Sequence, residues 1–312
     1  MGLLSGIFSG STPARTALPR TSPAVAERIN NILGIRNLEA MPAQAARAFQ
    51  LASDVNARQD DFVKVIESDE VLSARVVKIA NSVYFFRGTP AHDIEKAVAN
   101  IGLDELRCLL SASMLRSLLA SRHAARDIIW ANAVSTGIIC RLLSRSTKHI
   151  NPGEAFLCGL LHDVGKLIMI RKGGQLYDKV LTKVSTDDVS VIDAEEAVFE
   201  LNHVEVGKWV SELWHFPESA RHSIALHHEP WPKNLDKFQF DHHTLVKAAD
   251  LISHAIGIGH PPYMRSYGRR MDKEKQEILP RLGIGPELLD GIVTQFERLY
   301  EKEASLYQPE SH

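Results

Sequence analysis

Between Leu157 and Ile168 the chain reads Leu-Cys-Gly-Leu-Leu-His-Asp-Val-Gly-Lys-Leu-Ile, an apolar helical run interrupted by His162, Asp163 and Lys166. A buried carboxylate beside a buried imidazole is costly unless both are hydrogen-bonded or held by a cation. Any fold open to this chain must therefore bring partners to that segment. A divalent metal ion is the simplest such partner.

Further ligand types follow within the next hundred residues, on segments of helical periodicity: His203, His227, His228 and Asp250. Imidazole nitrogen with carboxylate oxygen suits Fe, Mn, Zn, Co or Ni, whereas Ca or Mg favours an all-oxygen set. Asp163 is placed to bridge two ions, and a two-metal site can activate water and clamp an in-line phosphoryl displacement. Lys166 falls four residues after His162 and three after Asp163, on the same helix face, where an ammonium can hold a phosphate. Each residue also has an ordinary reading. His227 and His228 precede Pro230 and suit a helix C-terminus. Asp250 can form a buried ion pair with Lys247, and His203 can sit at a helix start. As an ordered series they point to one shared site.

The series His162-Asp163-x-Gly165-Lys166, His203-x-x-x-Gly207, His227-His228 and Asp250 resembles the HD superfamily of metal-dependent phosphohydrolases. The closer resemblance is to its HDOD branch. It rests on Met41-Pro42, on the segment from Ile66 through Asn81-Ser82, on Ile94 to Gly102 and on Trp214-His215-Phe216-Pro217, and it covers about residues 31 to 260. It implies an all-α, multi-helix bundle of the HD/HDOD type. It also implies a signal-transduction or regulatory module acting through protein or ligand contacts, with a metal-dependent phosphohydrolase of nucleotides or phosphoesters as the alternative. In the catalytic role Asp163 would sit with the metal-activated water and Lys166 on the phosphate.

Two departures from the HD pattern narrow this. Catalytic relatives carry a further His on an earlier helix, and the equivalent place here reads Trp130-Ala131-Asn132. By the resemblance, one metal position keeps His162, Asp163 and Asp250 but loses an imidazole, while the other keeps Asp163, His203, His227 and His228. One ion is expected rather than two. After His228 the chain reads Glu229-Pro230-Trp231-Pro232-Lys233-Asn234, which lacks the Asp-Gly-x-Gly-Tyr-Pro type sequence of HD-GYP cyclic di-GMP phosphodiesterases and argues against that activity.

With 36 basic and 38 acidic side chains the balance carries no nucleic-acid or membrane footprint, so neither DNA nor a membrane is expected as partner. Cys108, Cys140 and Cys158 are odd in number and set in apolar helical surroundings, which predicts core thiols and a reducing, cytoplasmic setting. Residues 1–24, rich in Ser, Thr, Pro and Gly, are expected to be a flexible tail. Residues 25–125 form the N-terminal helical half, 126–260 the metal-site half and 261–312 a helical extension. Within the first half the Tyr84 to Pro90 loop is unusually aromatic, and Pro42 suits a first helical turn. The HD pair is expected about two turns into one continuous helix. Beyond residue 260, Arg265, Arg269, Arg270 and Lys273 read as a solvated connector. A last helix from Pro286 carries Leu289, Ile292, Val293, Phe296 and Leu299 on one stripe, which covers this chain's own core or a second subunit. A signalling protein partner is expected, and the substrate or pathway is not legible from the residues.

Overall fold

The computed structural model describes residues 18–34, 41, 43–54, 56–82, 85–147, 150–234 and 240–307. Among these residues every regular element is helical, as the scarcity of strand alternation predicts. The first seventeen positions of the expected tail, together with Pro42 and Tyr84, lie outside the described residues.

The N-terminal half is made of short helices whose ends are written in the sequence. Ser22 accepts from the Val25 amide and opens α1, Pro23–Leu33, which Gly34 closes with φ 63°. The end of the expected tail is thus held, since the Thr21 amide also donates to Glu212 at 2.9 Å. Helices α2 (Ala43–Ser53), α3 (Gln59–Glu67), α4 (Glu70–Ala80), α5 (Ile94–Ile101) and α6 (Leu103–Leu118) follow. Asp69 and Asp93 accept from the Leu72 and Lys96 amides and so start α4 and α5. Buried Arg107 on α6 donates to the carbonyls of Leu51, Asp54 and Ala57, which satisfies the turn between α2 and α3 from within. Of the aromatic loop, Phe85 packs on the core and Phe86 is exposed.

Helix α7 (Ala124–Ser144) is buried along most of its length and forms the axis on which the second half is assembled. Against it lies α8 (Pro152–Leu161), capped by Asn151. The two approach so closely that a Cβ on Gly159 would fall 2.8 Å from Gly137 Cα, so no side chain fits at Gly159, and one at Gly137 would press to 3.1 Å from Phe156. The chain continues through α9 (Val164–Gly173), α10 (Gln175–Asp187), α11 (Val191–Phe199), α12 (His203–Leu213), α13 (Glu218–Leu226) and α14 (His242–Ala255). Asn202 starts α12 in a reciprocal capping box with Glu205. α1 is tied to α12 by an Arg28–Glu205 ion pair.

Two expectations need correction. The HD pair does not lie inside one helix: α8 ends at Leu161 with His162 as its C-cap, and Asp163, at φ −102° and ψ 21°, is the N-cap of α9. The periodicity concealed the break because residues on both sides of it are buried all round. The basic stretch after residue 260 is not a connector but helix α15 (Arg265–Ile278), which packs on α14 and receives a 2.8 Å hydrogen bond from Trp231 Nε1 to Glu274. Beyond a 3₁₀ turn at Pro280–Leu282 comes α16 (Pro286–Tyr307). It packs on α6 and α7, burying Ile292 and Phe296, so the apolar stripe is covered by this chain's own core. A single hydrophobic cluster runs from Ile29 to Phe296 through both halves. Cys108, Cys140 and Cys158 are buried in it as thiols, with no disulfide among the described residues.

Candidate metal centre

Because α8 stops at Leu161 and α9 starts at Val164, His162 and Asp163 issue from a corner between helices rather than from successive turns of one. α9 then runs against α12. A Cβ on Gly165 would lie 1.9 Å from the His203 carbonyl oxygen and 2.9 Å from the Gly207 amide nitrogen. Gly165 therefore lets the two backbones touch and brings His203 up to Asp163, while a Cβ on Gly207 would fall 2.7 Å from the Ile224 side chain, so the second glycine admits α13 against α12. His227 and His228 arrive from the end of α13, and Asp250 from the middle of α14.

Asp163, His203, His227 and His228 place four ligand atoms within 4.8 Å of one another, a set able to hold a metal ion. Asp163 Oδ1 is 3.5 Å from Nε2 of both His203 and His227. Three of the four residues are buried, and His228 forms the exposed edge. The ring orientations are determined from behind. His162 Nδ1 donates to the Gly159 carbonyl at 2.7 Å, and His227 Nδ1 lies 3.1 and 3.0 Å from the carbonyls of Ser223 and Ile224. His203 Nδ1 lies 2.5 Å from Glu195 Oε2, which also accepts the His203 amide at 2.8 Å. With Nδ1 engaged on acceptors, Nε2 of the neutral His203 and His227 rings carries the lone pair. Those Nε2 atoms and Asp163 Oδ1 are buried and have no hydrogen-bond partner. Buried polar atoms are seldom left so, and a carboxylate or carbonyl behind a histidine is how metal-ligating imidazoles are commonly oriented.

The electrostatics suit ligation. Burial first, then the Lys166 ammonium, keeps His203 well below its usual pKa, and burial does the same for His227, so both rings are neutral donors near neutral pH. Burial opposes the charge on Asp163, but His162 and Lys166 hold its carboxyl well below the usual carboxylate range. His162 differs from the other imidazoles. Burial works against its charge, yet Asp163 and Asp250 together push it up to about 10.

His162 and Asp250 stand beside the four-ligand group, with His162 Nε2 3.3 Å from Asp163 Oδ2 and 3.4 Å from Asp250 Oδ1. Both of those oxygens already have a donor. Lys166 Nζ is 2.6 Å from Asp163 Oδ2, and Asn132 Nδ2 is 2.8 Å from Asp250 Oδ1. The Asn132 amide is oriented by Ser253, whose hydroxyl lies 2.9 Å from its Oδ1 and 2.8 Å from Ser135. Lys166 does share a face with His162 and Asp163, but its ammonium is buried against the carboxylate. The Lys247 partner considered for Asp250 does not form; Lys247 bonds to the Glu229 carbonyl and lies 4.5 Å over the Trp231 ring.

Sequence reasoning missed three residues here. Glu195, supported by a 2.9 Å hydrogen bond from Tyr177, is pushed up to about 7 by burial. It stands four residues after Val191 and four before Phe199, so an acid on an apolar helix face was its visible signal. His254 follows Asp250 by one helical turn, with Nε2 3.5 Å from its carboxylate. Tyr267 on α15 packs edge-on against His254, and nothing in its local sequence marks it.

Residues 38–230 match the HDOD domain family. Among solved structures, an HDOD domain protein of unknown function from Geobacter sulfurreducens aligns with a TM-score of 0.68 at 24% identity, over 90% of this chain and 96% of that one. A Shewanella amazonensis SB2B protein, provisionally named a phosphohydrolase, aligns with a TM-score of 0.66 at 20% identity, over 92% and 97% of the two chains. A Marinobacter aquaeolei VT8 protein, provisionally named for signal transduction, gives 0.66 at 19% identity, over 91% of this chain and 66% of that one. At these identities the likeness is one of fold. An uncharacterised protein of Treponema pallidum is 23% identical over 215 residues, 69% of this chain, which spans about two fifths (41%) of that curated relative's length.

Proposed function

The chain belongs to the HDOD domain family, and from that premise we propose that it is a signal-transduction module that binds one divalent metal ion and acts by contacting a signalling protein. Asp163, His203, His227 and His228 hold the ion, with Glu195 and the Gly159, Ser223 and Ile224 carbonyls fixing the donor rings of the corner. The ion is a first-row metal of the Fe, Mn, Co, Ni or Zn kind, given three imidazoles and one carboxylate. No described helix is long and apolar enough to cross a membrane.

One observation carries the choice of one ion over two. The oxygens that would face a second ion, Asp163 Oδ2 and Asp250 Oδ1, are taken by the Lys166 ammonium and the Asn132 amide. A fixed positive charge 2.6 Å from one of them repels a second dication, and without it the paired-metal clamp for in-line phosphoryl transfer is incomplete. The competing reading is a metal-dependent phosphohydrolase. It is favoured by the retention of His162, Asp163 and Asp250 in mutual contact.

Elemental analysis of untagged protein, with and without Asn132→His, separates the two. The regulatory reading expects about one mole of metal per chain, no phosphoesterase turnover and no gain in either for Asn132→His. Two moles in the native chain, or a phosphatase rate that rises with Asn132→His, would overturn it.

A further inference from the structure

The segment Glu229-Pro230-Trp231-Pro232, where the chain departs from the HD-GYP pattern, is held in a three-part clasp beside the metal corner. Lys247 of α14 donates to the Glu229 carbonyl and stands 4.5 Å over the Trp231 ring. The Trp231 indole in turn donates to Glu274 Oε1 of α15 at 2.8 Å. Both acids act on the same ammonium: burial lowers the Lys247 pKa, while Glu274 and then Glu229 work to raise it. One tryptophan is thus gripped from two helices.

The clasp adjoins the least secured of the candidate ligands. His203 and His227 are oriented from behind, by Glu195 and by the Ser223 and Ile224 carbonyls. Among the described residues no hydrogen bond does the same for the His228 ring, which meets the rings of His203 and His227 at centroid distances of 4.9 and 4.2 Å. His228 also lies beyond the end of α13, in a turn closed by the Glu229 amide on the Leu226 carbonyl at 3.0 Å, and it is exposed. Glu229 and Pro230 alone separate it from Trp231 in sequence, and the φ of Pro230 is fixed by its ring. Over so short and stiff a link, the place of the indole decides where the imidazole stands.

We propose that Trp231, gripped by Lys247 and Glu274, is the positioning residue for His228, so that the fourth ligand of the ion depends on α15 being docked. The inference rests on the metal reading above and adds its regulation. Glu274 lies beyond residues 38–230 that match the family, so the helical extension completes the ligand set of the matched domain. With the clasp open, Asp163, His203 and His227 still hold the ion and one position is left to solvent, which is the difference between a closed and an open site. A partner that draws α15 outward would thereby change the metal centre without touching a ligand.

The test is a double-mutant cycle on the full chain loaded with Co²⁺, read by competitive chelator titration and by the visible absorption of the bound ion, which reports its ligand number. Glu274→Ala and Trp231→Ala should each weaken binding about 10-fold, as loss of a supporting group does, and bring the spectrum to that of His228→Ala. Glu274→Gln keeps an acceptor for the indole and should retain the parental affinity and spectrum. In the His228→Ala background, Trp231→Ala should have no further effect, because both act through one ligand. Helix content by circular dichroism should stay parental, and Glu274→Ala, at a half-buried position, carries the test if Trp231→Ala does not fold. Additive losses in the cycle, parental binding by Glu274→Ala, or parental binding by His228→Ala would each overturn the proposal and leave an ion on the other three ligands. A full chain that takes up no Co²⁺ would overturn the metal reading and the proposal together.

Discussion

Replacing Gly165 with alanine tests how the metal corner is built. The new Cβ would sit 1.9 Å from the His203 carbonyl oxygen, 2.8 Å from its carbon and 2.9 Å from the Gly207 nitrogen. All three atoms are backbone, so no side chain can turn aside. Restoring an ordinary contact of roughly 3.5 Å requires α9 and α12 to part by about 1.6 Å. The distance from Asp163 Oδ1 to His203 Nε2, now 3.5 Å, then approaches about 5 Å, whereas two ligands bound at about 2.1 Å to one ion cannot stand more than roughly 4.2 Å apart. A ligand is lost, and metal affinity should fall by at least about 100-fold, beyond the 10–100-fold that loss of a supporting group costs. Overpacking adds roughly 1–3 kcal/mol of destabilisation, a fall in melting temperature of several degrees at about 2–4 °C per kcal/mol. Calorimetric titration with Mn or Zn gives the affinity, and urea denaturation of the chelated protein gives the stability. Gly291→Ala is the control: it sits in α16 with nothing within 4 Å of the added carbon and should gain up to about 1 kcal/mol. The reasoning fails if Gly165→Ala binds metal within twofold of the parent and unfolds at the same urea concentration.

Glu195→Gln keeps an acceptor for Tyr177 but weakens the hold on His203 Nδ1. Metal affinity should drop about 10–100-fold with little loss of helix content, read by competitive chelator titration and circular dichroism; unchanged affinity would show that Glu195 only fills space. Arg107→Ala strips the donor from the carbonyls of Leu51, Asp54 and Ala57. It should cost on the order of 3 kcal/mol or more by urea denaturation, at about 1–3 kcal/mol for each unsatisfied buried group, while metal stoichiometry holds at its parental value. A loss below about 1 kcal/mol would mean that solvent reaches that turn.

The clustering of the candidate metal ligands was legible because its signals are chemical: Asp163, His203, His227 and His228 are polar residues in apolar surroundings, and they meet as their order suggests. The glycine spacings were legible too, although their reasons, backbone contact at Gly165 and the Ile224 side chain at Gly207, are properties of helices distant in sequence. The break at His162–Asp163 was hidden because every neighbour from Leu157 to Ile170 is buried, and a uniformly apolar run has no face to mark a change of axis. Helix α15 was misread for the opposite reason. Its composition is dominated by Arg, Lys, Asp and Glu, and its few inward residues, Tyr267 and Ile278 among them, give a stripe too narrow to outweigh the charges. Asn132 was read as a poor ligand, and its actual partner, Asp250, depends on Ser253 and Ser135 orienting its amide, which only the packed helices disclose.

Helix α7 carries Arg126 and Asn132 six residues apart, which amounts to about 9 Å along the axis and about 120° around it. Arg126 turns its guanidinium toward the Arg116 carbonyl on α6, and Asn132 its amide toward Asp250 on α14. Their relative bearing is thus a matter of phase, fixed by the winding of a single rod that the Gly137–Gly159 contact keeps from rolling on α8. A residue added or removed between them would swing one end by about 100° against the other, so either Asn132 would lose Asp250 or Arg126 would lose the Arg116 carbonyl. The six-residue interval in α7 has no slack.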